Sequence, residues 1–96
     1  MDKEKLSELR NLFALAEHRL KVVETHTEFL IDDETRTGLL VPTINQLRYA
    51  GQHLFEYVVN EDVGDLKEIE AHCKRALFDA YQVELMFYLS EFKDLQ

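Results

Sequence analysis

The first third of the chain carries apolar residues at alternating intervals of three and four residues. This spacing is typical of a helix that buries one stripe along its whole length. Additional apolar residues widen the stripe, which suits a helical bundle better than an isolated two-stranded coiled coil. The pattern predicts a helix over residues 3–31. The repeat positions hold Leu6, Leu9, Phe13, Ala16, Leu20, Val23, Thr27 and Leu30.

A second helix is predicted over residues 42–59, where the same spacing returns. Its start is placed at Pro42, because proline is tolerated in the first turn of a helix and disfavours helical geometry for the residue before it. The alternative is a helix from Asp33 that kinks at Pro42. Asn60, Gly64 and the acidic residues between them then supply a stop and a cap. The apolar positions of this helix are Ile44, Leu47, Gly51, Leu54 and Val58.

The third helix is predicted over residues 63–95 and carries two apolar stripes. The first would face the other two helices, whereas the second, called here the outer stripe, lies on another side. Either the last helix sits between the other two, or the outer stripe binds a partner. The inward stripe holds Leu66, Ile69, Cys73, Ala76, Ala80, Val83 and Phe87, and the outer stripe holds Phe78, Tyr81, Leu85, Tyr88 and Phe92.

These segments predict an all-α fold, with residues 1–96 forming one up-down-up three-helix bundle whose first and third helices are long. With 96 residues, the chain is near the lower end of the sizes that fold alone, and association would help it to bury apolar surface. We therefore expect a homodimer that forms a larger helical bundle through the outer stripe, with another protein as an additional partner.

The charge balance restricts the partners. The chain has 11 basic and 19 acidic residues and a net charge of −8, which disfavours DNA and anionic membranes. Cys73 is the only cysteine, so no intrachain disulfide and no CxxC metal site can form. The charged N-terminal segment lacks the apolar core of a signal peptide. These features predict a cytoplasmic protein without a cofactor.

Arg48 and His53, with four residues between them, resemble the Arg-x4-6-His motif of HEPN ribonucleases. Arg19 and His26 fit the same spacing rule. The resemblance implies a helical, usually dimeric, metal-independent ribonuclease acting on RNA, or an inactive relative of one. The arginine would neutralise the phosphorane-like transition state, and the histidine would transfer a proton. On one regular helix, however, Arg48 and His53 point about 140° apart.

Glu68, His72, Arg75 and Asp79 fall on one face of the third helix. Carboxylate and imidazole groups suit divalent metal ions, so Glu68, His72 and Asp79 are candidate ligands. Arg75 lies among them and would repel a cation. A ladder of ion pairs along the helix explains the same residues, and we therefore predict no metal site here.

The sequence as a whole favours a small acidic helical module for protein–protein interaction: an adaptor, an accessory subunit or a regulator. No catalytic residues are assigned under this interpretation, and the outer stripe is the predicted partner-binding surface. The alternative function is that of a HEPN-like ribonuclease, or its inactive relative, with Arg48 and His53 at a dimer cleft.

Overall fold

The computed structural model describes residues 1–28 and 32–94, with side chains described as far as residue 89. This part of the chain forms three helices and no strand: α1 (Lys3–Thr27), α2 (Asp33–Asn60) and α3 (Val63–Asp94). The all-α prediction is therefore confirmed. The molecule is elongated, at 54 × 22 × 17 Å. Within the same ranges, no helix combines the length and the apolar composition that crossing a membrane requires.

Helix α3 lies between the other two helices. It packs along both α1 and α2, whereas α1 and α2 meet each other much less. Lys5 pairs with Glu70 near the start of α1 and α3, and Arg19 pairs with Glu84 further along, so these two helices run in the same direction. Because α2 joins α3 through the short link at residues 61–62, it runs antiparallel to both neighbours, and the up-down-up order is confirmed.

The inward stripe of α3 forms the centre of the core. Its first six members, Leu66 to Val83, are buried, and Phe87 is half-buried. One cluster packs Leu66 and Ile69 with residues from α1 and α2 near the start of the molecule, and a second packs Ala80 and Val83 further along. The prediction of which α3 residues face the core is thereby confirmed.

The second helix begins at Asp33, nine residues before the predicted start at Pro42. Its cap explains the difference. The Asp32 carboxylate accepts hydrogen bonds from the backbone N–H and the hydroxyl of Thr35, each at 2.8 Å, and these bonds hold the pKa of Asp32 below its usual range. Pro42 sits inside the helix, on its exposed side, where water can bond the carbonyl that the missing proline N–H leaves without a partner.

The first helix ends at Thr27 rather than near residue 31. The hydroxyls of Thr25 and Thr27 donate to the backbone carbonyls of Lys21 and Val23, at 3.0 and 2.8 Å. Such side-chain bonds compete with the helical backbone pattern and weaken the last turn. Leu30, which the repeat places on the buried stripe, lies outside the described residues.

The buried side of α2 is not the one that its apolar spacing predicted. Leu40, Thr43, Ala50 and Tyr57 are buried, whereas the predicted stripe from Ile44 to Val58 is half-buried or exposed. The helix is rotated because two polar residues on its α3 side, Gln46 and His53, find hydrogen-bond partners on α3. Two residues of the predicted stripe, Gly51 and Leu54, line a groove beside α1.

The link between α2 and α3 depends on one residue in a strained conformation. Glu61 ends α2 with φ 54° and ψ 31°, in the left-handed region, and its N–H donates to the Tyr57 carbonyl at 2.7 Å. The Asp62 carboxylate then accepts a hydrogen bond from the Gly64 N–H at 2.8 Å. A residue with a Cβ atom is destabilised in this conformation, where glycine is normally preferred.

We expect Glu61→Gly to stabilise the fold. Glycine adopts the left-handed conformation without the steric cost, and the gain should be about 1 kcal/mol, or roughly 4–8 °C in melting temperature for a domain of this size. Thermal unfolding followed by circular dichroism checks this. Glu61→Ala, which keeps the Cβ atom and removes the carboxylate, is the matched control and should not raise the melting temperature.

Candidate functional site

Two histidines from different helices meet between α2 and α3. The rings of His53 and His72 are stacked, with centroids 5.4 Å apart and planes 17° from parallel. The Tyr49 ring lies against His72 at the same centroid distance. The His72 side chain is only 13% exposed, whereas that of His53 is 33% exposed.

Hydrogen bonds fix the orientation of both rings. The Nδ1 atom of His53 lies 2.9 Å from the Asp65 carboxylate, and Nδ1 of His72 lies 2.7 Å from the Gln46 side-chain oxygen. A carboxylate and an amide oxygen only accept hydrogen bonds, so each Nδ1 carries the proton and donates. In the neutral ring, Nε2 then holds the free lone pair on both histidines.

A carboxylate completes the cluster. The Glu68 Oε2 atom lies 3.6 Å from His72 Nε2, one helical turn away on α3. One donor atom each from His53, Glu68 and His72 lie within 4.8 Å of one another. Imidazole nitrogens together with a carboxylate oxygen form a donor set that binds divalent transition metals in proteins.

The surroundings of His72 disfavour its charged form. Burial lowers the pKa of His72 below its ordinary value of 6.5, and the neighbouring His53 and Arg75 lower it further, while Glu68 acts in the opposite direction. His72 is therefore neutral near pH 7 and keeps its Nε2 lone pair.

The structure brings only part of the predicted α3 face together. Glu68 and His72 are adjacent, as the ion-pair ladder implied, but Asp79 is not a member of the cluster among the described side chains. The sequence predicted His53 only as a candidate catalytic partner of Arg48, and not as a neighbour of Glu68 and His72, because it comes from another helix. A signal was present: His53 lies eight residues before Glu61 and His72 ten residues after Asp62, so an antiparallel hairpin places them opposite each other.

Arg48 and His53 do not meet in the part of the chain that the structure describes. The Arg48 guanidinium lies over the Tyr49 ring, 5.4 Å from its centroid, whereas His53 turns toward Asp65 and α3. A shared phosphate site would require an arginine from a second subunit. The HEPN-like ribonuclease function stays a prediction.

Arg19 and His26, the second Arg–His pair, both belong to α1 and both approach the Glu84 carboxylate of α3. The Arg19 guanidinium is 3.2 Å from the buried Glu84, and His26 Nδ1 is 3.8 Å from the other oxygen of the same carboxylate. Arg19 also lies over the Tyr81 ring, and His26 meets Tyr88 edge to face. Two members of the outer stripe therefore also contribute to this polar cluster.

The outer stripe is otherwise exposed. Phe78 and Leu85 are 61% and 59% exposed, and Tyr81 and Tyr88 are about half exposed. Phe92, the fifth predicted member, has a side chain outside the described residues. The role of the outer stripe in binding a partner stays a prediction.

Cys73 is completely buried in the core, and burial raises the pKa of its thiol to about 11. A thiol in this setting lacks the thiolate form that nucleophilic attack and metal binding need. Its position on the inward stripe makes it a small apolar packing residue.

Comparison of the chain with protein-family models, with curated proteins and with solved structures found no match.

We expect Cys73 to resist alkylation in the folded protein. At pH 8 the raised pKa alone lowers the thiolate fraction by about 100-fold relative to a thiol of pKa 9.0, and burial blocks access in addition. Iodoacetamide labelling followed by mass spectrometry should show slow modification of the native chain and rapid modification in urea. Rapid labelling without denaturant would contradict the buried position.

We also expect His72 to make stability depend on pH. Because its pKa is lower in the folded chain than in the unfolded chain, the unfolded chain binds the proton first. This contribution to the free energy of unfolding is fully present above the unfolded-state pKa and is lost as the pH falls from there toward the lower folded-state pKa. Urea unfolding at about pH 8 and about pH 5 measures the loss, which should be smaller in His72→Gln. An equal loss in both proteins would show that His72 is not responsible.

Proposed function

We propose that the chain is a helical protein–protein interaction module, an adaptor, accessory subunit or regulator, that forms a homodimer and binds a second protein. The observation that carries this proposal is the presence of two apolar surfaces on opposite sides of one small bundle. Monomeric proteins rarely leave large contiguous apolar patches exposed, and patches of this kind commonly mark binding surfaces.

The first surface is the outer stripe of α3. Phe78 and Leu85, seven residues apart, are both largely exposed, and the neighbouring Met86 and Leu89 are exposed to a similar degree. Residues at this spacing lie on one face of a helix, so their side chains form a continuous band. Covering this band with the same band of a second copy would bury apolar surface from both chains at once.

The second surface is an apolar groove between α1 and α2. These two helices contact each other much less than they contact α3, and the groove has a volume of about 360 Å3. Ile69 of α3 lies among its lining residues. The remaining lining is apolar except for Arg10 and consists of Leu6, Leu9, Phe13, Ala50, Gly51 and Leu54.

The two surfaces face different directions. Ile69 in the groove and Phe78 on the outer stripe are nine residues apart on α3, which corresponds to about 180° of rotation. A chain that pairs through one side leaves the other side accessible. This arrangement suits an adaptor, with the outer stripe for the second copy and the groove for an apolar helix of another protein.

The charge and the cysteine support the rest of the proposal. A net charge of −8 is unfavourable for a nucleic-acid or anionic-membrane partner, so the partners are taken to be proteins. Cys73 is a free, buried thiol, which is consistent with the proposed cytoplasmic location.

We expect the wild type to be a dimer that Leu85→Glu dissociates. The substitution forces a charge into a desolvated interface and should weaken association by about 2–4 kcal/mol. Because Leu85 is exposed in the single chain, the mutant should keep its helices. Its melting temperature should be close to that of the wild type at concentrations low enough for the wild type to be monomeric. Sedimentation velocity across a concentration series measures the association, and circular dichroism checks the fold.

Two further variants make this test specific. Gln52→Glu adds the same charge at an exposed polar position of α2 and should leave the dimer intact. Leu54→Glu places the charge in the groove and should also leave the dimer intact. A monomeric wild type would overturn the proposed self-association. Dissociation by Leu54→Glu but not by Leu85→Glu would move the dimer interface to the groove.

A further inference from the structure

We propose that His53, His72 and Glu68 form a binding site for a divalent first-row transition metal of the zinc type, which joins α2 to α3. The three side chains come from both helices of the hairpin, and one donor atom of each lies within 4.8 Å of the other two. The proposal is independent of the interaction surfaces, since none of these residues belongs to the outer stripe or lines the apolar groove.

The ring protons of both histidines are placed so that one nitrogen of each ring can bind a metal ion. In both rings the proton is held on Nδ1 by an acceptor, Asp65 for His53 and Gln46 for His72. The Nε2 lone pairs are therefore available to a metal ion, and no proton has to be displaced from them. His72 Nε2 already lies 3.6 Å from the Glu68 carboxylate, so a nitrogen and an oxygen donor face the same space.

The two histidine rings have the same kinds of hydrogen-bond partner as metal-binding histidines in proteins. Metal-binding histidines generally donate their other N–H to a carboxylate or a carbonyl oxygen, which fixes the ring and raises its basicity. Asp65 and Gln46 supply one acceptor of each kind, at 2.9 and 2.7 Å. A stacked histidine pair held only by ring contact would not need both Nδ1 atoms to be fixed in this way.

The required movement is small. Two donors on one tetrahedral zinc ion at about 2.0–2.1 Å stand roughly 3.3 Å apart, so the widest separation in the cluster has to shorten by about 1.5 Å. Glu68 is more than half exposed and can rotate freely toward the histidines. The three ligands leave a fourth position for water.

The local charge favours a cation despite Arg75. Around the site, the Glu68 and Asp65 carboxylates contribute two negative charges and the Arg75 guanidinium one positive charge. Arg75 is exposed on α3, where solvent screens its repulsion of a bound cation. The site takes His53 from α2 in place of Asp79, so it is not the single-helix set of α3 residues in which Arg75 lies.

Zinc titration of metal-stripped, untagged protein tests the proposal. Isothermal titration calorimetry in the presence of excess Mg2+ should show one Zn2+ per chain, and saturating Zn2+ should raise the melting temperature by several degrees, because the ion binds only the assembled hairpin. His53→Gln, His72→Gln and Glu68→Gln should each weaken binding at least about tenfold. Asp65→Asn, a positioning variant, should weaken it less and should retain the stoichiometry.

The controls separate this site from adventitious binding. His18→Gln removes an exposed histidine of α1 and should bind Zn2+ as the wild type does. Co2+ should give visible absorption bands of nitrogen and oxygen coordination, without the sulfur-to-cobalt band that Cys73 would produce. Circular dichroism shows that each variant is folded. Absence of stoichiometric binding to the wild type, or equal weakening by His18→Gln and His53→Gln, would overturn the proposal.

Discussion

Close contact along the inward side of α3 is the interaction on which the rest of the structure depends. Cys73, Ala76 and Ala80 are completely buried there, and Ala16 of α1 and Ala50 of α2 are buried as well. Small side chains let helix backbones approach closely, so α3 can contact two neighbours at once. Because α1 and α2 both pack against α3, they contact each other much less.

The rotation of α2 toward its polar partners on α3 has two consequences. It leaves the predicted apolar stripe of α2 half-buried or exposed, with Gly51 and Leu54 lining the apolar groove beside Ile69. It also brings Gln46 and His53 against His72 and Asp65. The exposed apolar side of α2 and the histidine cluster are thus produced by the same rotation of one helix, although they lie on different sides of it.

The sequence predicted those features that depend on one helix at a time. The repeat spacing identified the three helices and the buried side of α3, because an apolar stripe on a helix must face a core. The start of α2 was predicted at Pro42, because the preference of proline for the first turn of a helix was given more weight than the cap that Asp32 supplies. Helix ends depend on such side-chain bonds, which several residues can offer equally well.

Features that depend on two helices were harder to predict. The stripe from Ile44 to Val58 was taken to be buried because apolar residues usually decide which side of a helix faces the core. Here the hydrogen bonds of Gln46 and His53 compete with that preference, and a residue pattern on α2 alone does not reveal their partners on α3. The metal-ligand candidates were accordingly sought on one face of α3, without His53.

Two polar clusters also determine which neighbour occupies which side of α3. The small residues of the inward stripe could pack against either α1 or α2, because short alanine side chains do not interlock specifically with one neighbouring helix. Glu84 accepts a hydrogen bond from Arg19 of α1 and lies 3.8 Å from His26 of the same helix, whereas His72 meets His53 and Gln46 from α2. Exchanging the two helices would leave buried polar groups without partners, which is costly in a core. The polar clusters therefore supply the specificity of a fold whose stability comes mainly from the apolar contacts between them.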